Sequence, residues 1–329
     1  MTTEFISIGD TVVDEFIELQ DARVHCKIDD EECEISMRWG DKIPFKSATM
    51  VAGVGNAANA AVSAARLGLK TAFVTNTGKD AYGKEILNVF KKEKIDTKFV
   101  KLHAGIPTNH HYVLSFESER TILVKHEHYP YALPKLPAPK TIYLSSLGEG
   151  TEGYHDAVAA YAEAHPNVFF AFQPGTFQMK LGIEKFARIY KRADFVVVNK
   201  EEAERILGLS GPQDIKELLQ KMRALGPKTA LITDGRNGAY AYDGTKTYFV
   251  PMYPDVRAPK ERTGAGDAFA STVAAALTLG KPLHEALLWG PVNSMSVVQD
   301  IGAQRGLLSR KVLEDYIAKA PAEYAIKEI

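Results

Sequence analysis

Cysteine is scarce in this chain: Cys26 and Cys33 are the only two among 329 residues. Neither belongs to a Cys-x-x-Cys pair or joins a nearby histidine pair, which argues against a zinc site. Two free thiols are the expectation in a reducing cytosol, with a bridged or redox-active pair as the alternative. Long apolar runs are missing as well, since none reaches the ~18 residues that a membrane-spanning helix needs. The start, Met1-Thr2-Thr3-Glu4-Phe5, lacks the basic, apolar and small-residue regions of a secretory signal, so a cytoplasmic protein is expected. Nor is there an excess of one charge: 40 Lys and Arg face 41 Asp and Glu, a formal net of −1. Without a global field, neither nucleic acid nor a membrane surface is an expected partner, and any phosphate binding must be local. Repeats and low-complexity tracts are also absent.

What is present is a chain that is 45% apolar and long enough for one large α/β domain with an appendage. Short apolar stretches at 5–8, 71–75, 141–145, 168–172, 195–199 and 230–234 read as buried strands. Helical stretches such as 82–93, 154–164 and 182–192 lie between them, and a hairpin-like pair follows at 238–242 and 248–250. Such alternation predicts a mostly parallel sheet covered on both faces, with active residues at the carboxyl ends of the strands. Two segments, 16–49 and 108–126, instead alternate polar and apolar residues, as in Tyr112-Val113-Leu114-Ser115-Phe116. They predict a small β lid beside a core of 1–15, 50–107 and 127–329, and the proline-rich 130–139 reads as the connector back to that core.

The densest chemistry is Arg262-Thr263-Gly264-Ala265-Gly266-Asp267-Ala268-Phe269. Its glycines allow a tight turn and close ligand approach, and the unpaired N–H groups of the following helix form an anion site. Asp267 at its mouth could take the proton of an attacking hydroxyl. Taken alone, this Asp could equally cap the helix expected over 268–279.

Further matches appear in order along the chain. Val54-Gly55-Asn56-Ala57-Ala58-Asn59 leads through an alanine-rich helix to Gly68, with Gly78 beyond, and Asn199-Lys200-Glu201-Glu202 comes later. Together with Asp14 and the Gly-Ala-Gly-Asp run, these resemble the signatures of the ribokinase-like (PfkB) family of sugar and nucleoside kinases over about residues 6–316. The resemblance implies a three-layer α/β sandwich with a mostly parallel central sheet and a β-sheet lid. It also implies ATP and Mg²⁺ as cofactors, a small sugar or nucleoside as acceptor, and a homodimer formed through the lid.

It assigns Asp267 as base, with Gly264, Ala265 and Gly266 as the anion hole. Asp14 would accept hydrogen bonds from acceptor hydroxyls, helped by Gly55, Asn56 and Asn59, while Asp10 could simply cap a turn. Asn199 and Glu202 would organise Mg²⁺ and phosphates through water, although Asn-x-x-Glu is also a capping box. Thr233, Gly235 and Gly238 match the turn that approaches the nucleotide, in a stretch whose Asp-Gly and Asn-Gly pairs are common turn formers anyway. Asn293 and Gly302-Ala303-Gln304 fall near the adenine-binding region.

Two departures stand out. Val54 replaces a glycine or alanine, and Glu261-Arg262 replaces the Asp-Thr pair associated with a monovalent-cation site. Arg262, alone or paired with Glu261, is therefore expected to substitute for the ion, the alternative being a solvent-facing Arg whose only role is solubility. The reading is an ATP- and Mg²⁺-dependent kinase acting on a small sugar-like alcohol. The alternatives are a nucleoside kinase, with Met37, Trp39, Tyr112 and Phe116 stacking on a base, and a catalytically silent sugar or nucleotide sensor.

Overall fold

The first strand, β1 (Phe5–Ile8), sends its side chains to opposite faces of a sheet, as a pleat with a two-residue period requires. Phe5 packs into one apolar cluster with Tyr143, Phe195 and Val273. Ile6 and Ile8 enter another with Phe170, Phe172 and Leu218. A sheet apolar on both faces must be covered on both, which gives three layers. This computed structural model describes residues 2–26, 33–117, 119–211 and 213–329; the part of the expected lid over 27–32, and residue 118, lie outside the described residues.

Along the chain β1 is followed by β2 (Val12–Leu19), β3 (Arg23–Cys26), β4 (Cys33–Ser36), β5 (Phe45–Val54), α1 (Asn56–Arg66), β6 (Thr71–Gly78), α2 (Ala81–Lys92) and β7 (Val100–His103). Then come β8 (His110–Phe116), β9 (Glu119–Lys125), β10 (Thr141–Leu144), α3 (Glu152–Ala164), β11 (Phe169–Phe172), α4 (Thr176–Leu181), α5 (Ala187–Arg192), β12 (Phe195–Asn199) and α6 (Lys200–Leu207). The last part holds α7 (Ile215–Ala224), β13 (Thr229–Thr233), β14 (Ala239–Tyr242), β15 (Thr247–Val250), α8 (Ala265–Thr278), α9 (Leu283–Val297), α10 (Arg310–Ala318) and β16 (Lys327–Glu328).

The large sheet has the order β16-β15-β14-β13-β12-β11-β10-β1-β6-β7, parallel from β13 to β7 and antiparallel at its far edge. From β1 the chain first builds outward to β6 and β7, then returns to place β10 on the other side. This reversal opens a crevice beyond the carboxyl ends of β1 and β10, the usual ligand position in such sheets. Alanine-rich α1 and α8 lie on one face, where small side chains let them approach closely enough for Ser63 and Thr272 to share a hydrogen bond of 3.3 Å.

A second sheet, β5-β2-β8-β9, forms the lid. Within the first of its two segments, β2 begins at Val12 and β5 ends at Val54, so they extend beyond the expected 16–49 at both ends, whereas β8 and β9 fall inside the expected 108–126. Two expectations are corrected here. The stretch over 182–192 is not one helix: Gly182, at φ 84°, ends α4, and a new helix starts at Ala187. The two thiols are not free either, because Cys26 and Cys33 are disulfide-bonded. The antiparallel register of β3 and β4 sets them directly opposite one another, with Cα atoms 4.0 Å apart, which is why the pair can be bridged. No helix among the described residues is long and apolar enough to cross a membrane.

Candidate active site

The turn before α8 is shaped by one glycine. Gly264 adopts a left-handed conformation at φ 80° as the helix cap, and a Cβ there would stand 2.3 Å from Ala303 Cβ. The turn and the 302–304 loop can touch only because that atom is missing. Asp267 therefore sits in the first turn of α8 and is not its cap, which removes the capping alternative. First-turn N–H groups have no intrahelical acceptors, so this end of α8 offers donors to an anion. Ser294 of α9 anchors the turn through the Ala265 carbonyl at 2.9 Å.

Asp267 is held by two amides. Asn59 Nδ2 donates to Oδ2 at 2.8 Å, and Gln173 Nε2 donates to Oδ1 at 3.0 Å. Burial pushes the Asp267 carboxyl above the usual carboxylate range, and the two donors pull against that shift. Across the cleft, burial also pushes Glu202 upward, opposed by the Asn199 N–H and reinforced by the negative charge of Asp267. Asn199 and Glu202 form a reciprocal capping box at the start of α6, with hydrogen bonds of 2.7 and 2.9 Å. Both nevertheless line the cleft together with Asn56, Gln173, Gly264 and Asp267. Capping and cleft-lining thus coexist in the same two residues.

The cleft continues past Thr233 and Gly266 into a more apolar slot walled by Met252, Phe269, Pro291, Met295 and Val298. Gly235, Gly238 and Arg262 also line it. Asn293 does not. It is fully buried, donating to Thr272 Oγ1 at 2.7 Å and accepting from Leu308 N at 2.9 Å. The helical period turns Asn293 into the core and presents Ser294, Met295 and Val298 to the slot instead, so the expected nucleotide contact is corrected. Arg262 makes no pair with Glu261, whose Oε2 accepts from Gly302 N at 3.0 Å. The expected Glu261–Arg262 pair is likewise corrected.

At the crevice, β2 and β8 run side by side and bring Asp14 next to His111. Asp14 Oδ1 is buried without a hydrogen-bond partner; His111 Nδ1 lies 3.3 Å away but is not aligned to donate. His111 Nε2 is 3.3 Å from His126 Nε2, and His126 Nδ1 is 3.2 Å from Asp10 Oδ2. Asp10 also accepts from Tyr131 Oη at 2.6 Å and from Gly148 N at 2.7 Å. Asp10 is therefore an organiser of the crevice and not a simple turn cap. Gly55, at φ 109°, packs on the Asp10 carbonyl and starts α1. Asn59 lies beneath Asp267, only 3% exposed, rather than facing the crevice. Gln304, expected near the adenine-binding region, does not line the slot but is buried against Asn59 and Gly53 beneath Asp267. Gln173 and Tyr143, which complete the support of Asp267, carry no motif, and the only signal for Gln173 was a polar residue directly after a buried strand.

Comparison with known proteins gives a consistent picture. The pfkB family carbohydrate kinase profile matches residues 26–310. A ribokinase of Bacillus subtilis is 28% identical over 276 residues, spanning 80% of this chain and 87% of the relative. A nucleoside kinase of Methanocaldococcus jannaschii superposes with a TM-score of 0.80 at 19% identity, covering 97% of this chain and 99% of the other. A ribokinase of Arabidopsis thaliana, solved with ribose and ATP, also gives 0.80 at 21% identity, covering 96% and 98%.

Proposed function

Because the chain belongs to the pfkB family of carbohydrate kinases, phosphotransferases that act on an alcohol group, we propose that it transfers the γ-phosphoryl group of ATP to a hydroxyl of a small sugar-like acceptor. The observation that carries this reading is the Asp267 carboxylate, held by two amides at the N-terminal turn of α8, inside a cleft that it shares with Asn199 and Glu202. In the proposed reaction Asp267 accepts the acceptor's hydroxyl proton as that oxygen bonds to the γ-phosphorus and the bond to the β-phosphate oxygen breaks. The N–H groups of the turn at Gly264, Ala265 and Gly266 stabilise charge on the phosphoryl oxygens. Thr233, Gly235 and Gly238 border the slot proposed for the nucleotide. Asp14, with its unpartnered oxygen, and Asn56 at the cleft border orient the acceptor; Gly55 allows the close approach, and Asn59 acts on the base from below.

Mg²⁺ fits the donor set at Glu202 and Asn199, where oxygen ligands meet the cleft. Among the described residues no group of three or more His, Cys, Asp or Glu could cage an ion, which suits a metal held largely by phosphate and water. When bound, Mg²⁺ would neutralise phosphate charge. We further propose that two copies pair through the lid.

The test is ADP formation from ATP across a panel of sugars and nucleosides, with the parent and the Asp267→Asn variant. A sugar should support turnover in the parent, and the variant should lose about 10²–10⁴-fold in kcat while still showing an ATP-induced thermal shift. Since Asp267 must be ionised to act and burial raises its pKa, kcat should fall on acidification through a group titrating above the usual carboxylate range. Preference for nucleosides would select the nucleoside-kinase alternative. ATP binding without turnover on any acceptor would favour a sensor, and parent-like rates in Asp267→Asn would reject the base.

A further inference from the structure

An amide has two ends, and which end faces the carboxylate matters: the nitrogen donates, whereas the oxygen would repel. Both amides on Asp267 have their orientation set by a second partner. Tyr143, fully buried, donates to Gln173 Oε1 at 2.5 Å, which turns Nε2 towards Asp267. Gln304 Nε2 donates to Asn59 Oδ1 at 3.0 Å, which turns Asn59 Nδ2 towards Asp267. The other Gln304 N–H goes to the Gly53 carbonyl at 2.7 Å, near the end of lid strand β5. Arg66, in a bidentate pair with Glu93, pins the Gln304 backbone carbonyl at 2.7 Å. A continuous set of donors thus runs from Tyr143 to Asp267 on one side, and from Gln304 to Asp267 on the other, with Gln304 also tied to the lid.

We propose that Gln173 and Gln304 are positioning residues, which keep Asp267 charged and aimed at the cleft, and that Gln304 ties the orientation of the base to lid strand β5. The inference rests on Asp267 being the base. Without both donors, burial would favour the protonated acid, which cannot accept a proton. The ionisable groups that interact with Asp267 are Glu202 across the cleft and Tyr143 beneath it; Arg262 is exposed on the same turn. A donor fixed onto a buried carboxylate acts on its protonation directly, so its loss is readable in a pH profile.

The experiment compares the pH dependence of kcat, and both KM values, for the parent, Gln173→Met and Gln304→Met. Each substitution should lower kcat at neutral pH, move the acid limb up by about one pH unit, and leave the ATP KM within about threefold. Gln304→Met should also raise the acceptor KM several-fold, because β5 loses its tie, whereas Gln173→Met should not. Gln173→Glu covers the case in which the methionine variant fails to fold: an added carboxylate should move the acid limb further in the same direction. In an Asp267→Asn background, Gln173→Met should cost little more, since a residue that acts through Asp267 has nothing left to act on.

A lowered kcat or melting temperature with an unmoved acid limb would mean packing alone and would overturn the proposal. An unchanged acceptor KM in Gln304→Met would overturn the lid link. Should Asp267→Asn itself turn over like the parent, the base assignment falls; should it be inactive while the glutamine variants keep the parent's profile, only this inference falls.

Discussion

At the level of single residues, the candidate site depends on small differences in what each atom meets. Gly264→Ala would force a Cβ into the left-handed region and onto Ala303. Strain of about 1–2 kcal/mol and overpacking of about 1–3 kcal/mol act together, so a loss of roughly 2–5 kcal/mol is expected in denaturant unfolding. The same change should lower kcat by displacing the first-turn N–H groups. Asp14 presents the opposite case, a buried oxygen that waits for a donor. If an acceptor hydroxyl satisfies it, Asp14→Ala should raise the acceptor KM about 10–100-fold, corresponding to roughly 1.5–3 kcal/mol for a hydrogen bond to a charged group. The ATP KM should not move; equal weakening of both substrates would show that Asp14 is structural. Asp267 and Asp14 could be nominated from the sequence because each matches a residue of the family's signatures. Gln173 went unnoticed and Gln304 was assigned to the wrong site, because a glutamine that supports another side chain is placed by tertiary packing and leaves no local pattern. Asn293 was misread for a related reason: one residue along a helix turns a side chain by about 100°, from slot to core.

Among the elements, local rules sufficed where caps and breakers act, and failed where partners are distant. The Asn199 to Glu202 capping box and the strand and helix order followed from the residues themselves. The break at Gly182 could have been read from a glycine at the head of a supposed helix. Pairing of Cys26 with Cys33 needed the register of β3 on β4, which spacing alone does not set.

The turn at 261–263 shows how far substitution logic reaches. Arg262 was expected to replace a bound monovalent ion, yet it lies exposed along the slot while Glu261 Oε1 and Thr263 Oγ1 are buried without partners. Orphaned oxygens of this kind cost about 1–3 kcal/mol each, and a monovalent cation, the ion that Arg262 was expected to replace at this turn, would give such an oxygen a partner. We therefore expect K⁺ to raise kcat above the rate in tetramethylammonium at constant ionic strength, where screening is held fixed. Glu261→Gln should weaken that activation. Equal rates in K⁺, Na⁺ and tetramethylammonium would instead mean that the turn needs no ion.

On the scale of the whole molecule, strand reversal beside β1 brings residues from distant parts of the chain to one cleft, and a separate sheet carries Asp14 and His111. Alternation sorts the lid's two faces. Asp14, His111 and Val124 lie in one cross-strand row, on the side where the acceptor is proposed to bind. Met50, Glu15, Tyr112 and Leu123 form the neighbouring row and point the other way. On that outer row Met50, Tyr112 and Leu123 are exposed at 48%, 43% and 52%, a clustering of large apolar side chains that isolated monomers usually avoid. A second copy of the same surface, related by a two-fold axis, would bury them. Leu123→Glu places a carboxylate in that row without touching the acceptor side or the base. Sedimentation velocity should then show the parent as a dimer and the variant shifted towards monomer. If the paired lids also brace one another over the crevice, the acceptor KM of the variant should rise while the ATP KM stays level. A parent that sediments as a monomer at all concentrations would rule out the lid interface. A dimer untouched by Leu123→Glu would place the interface on another surface.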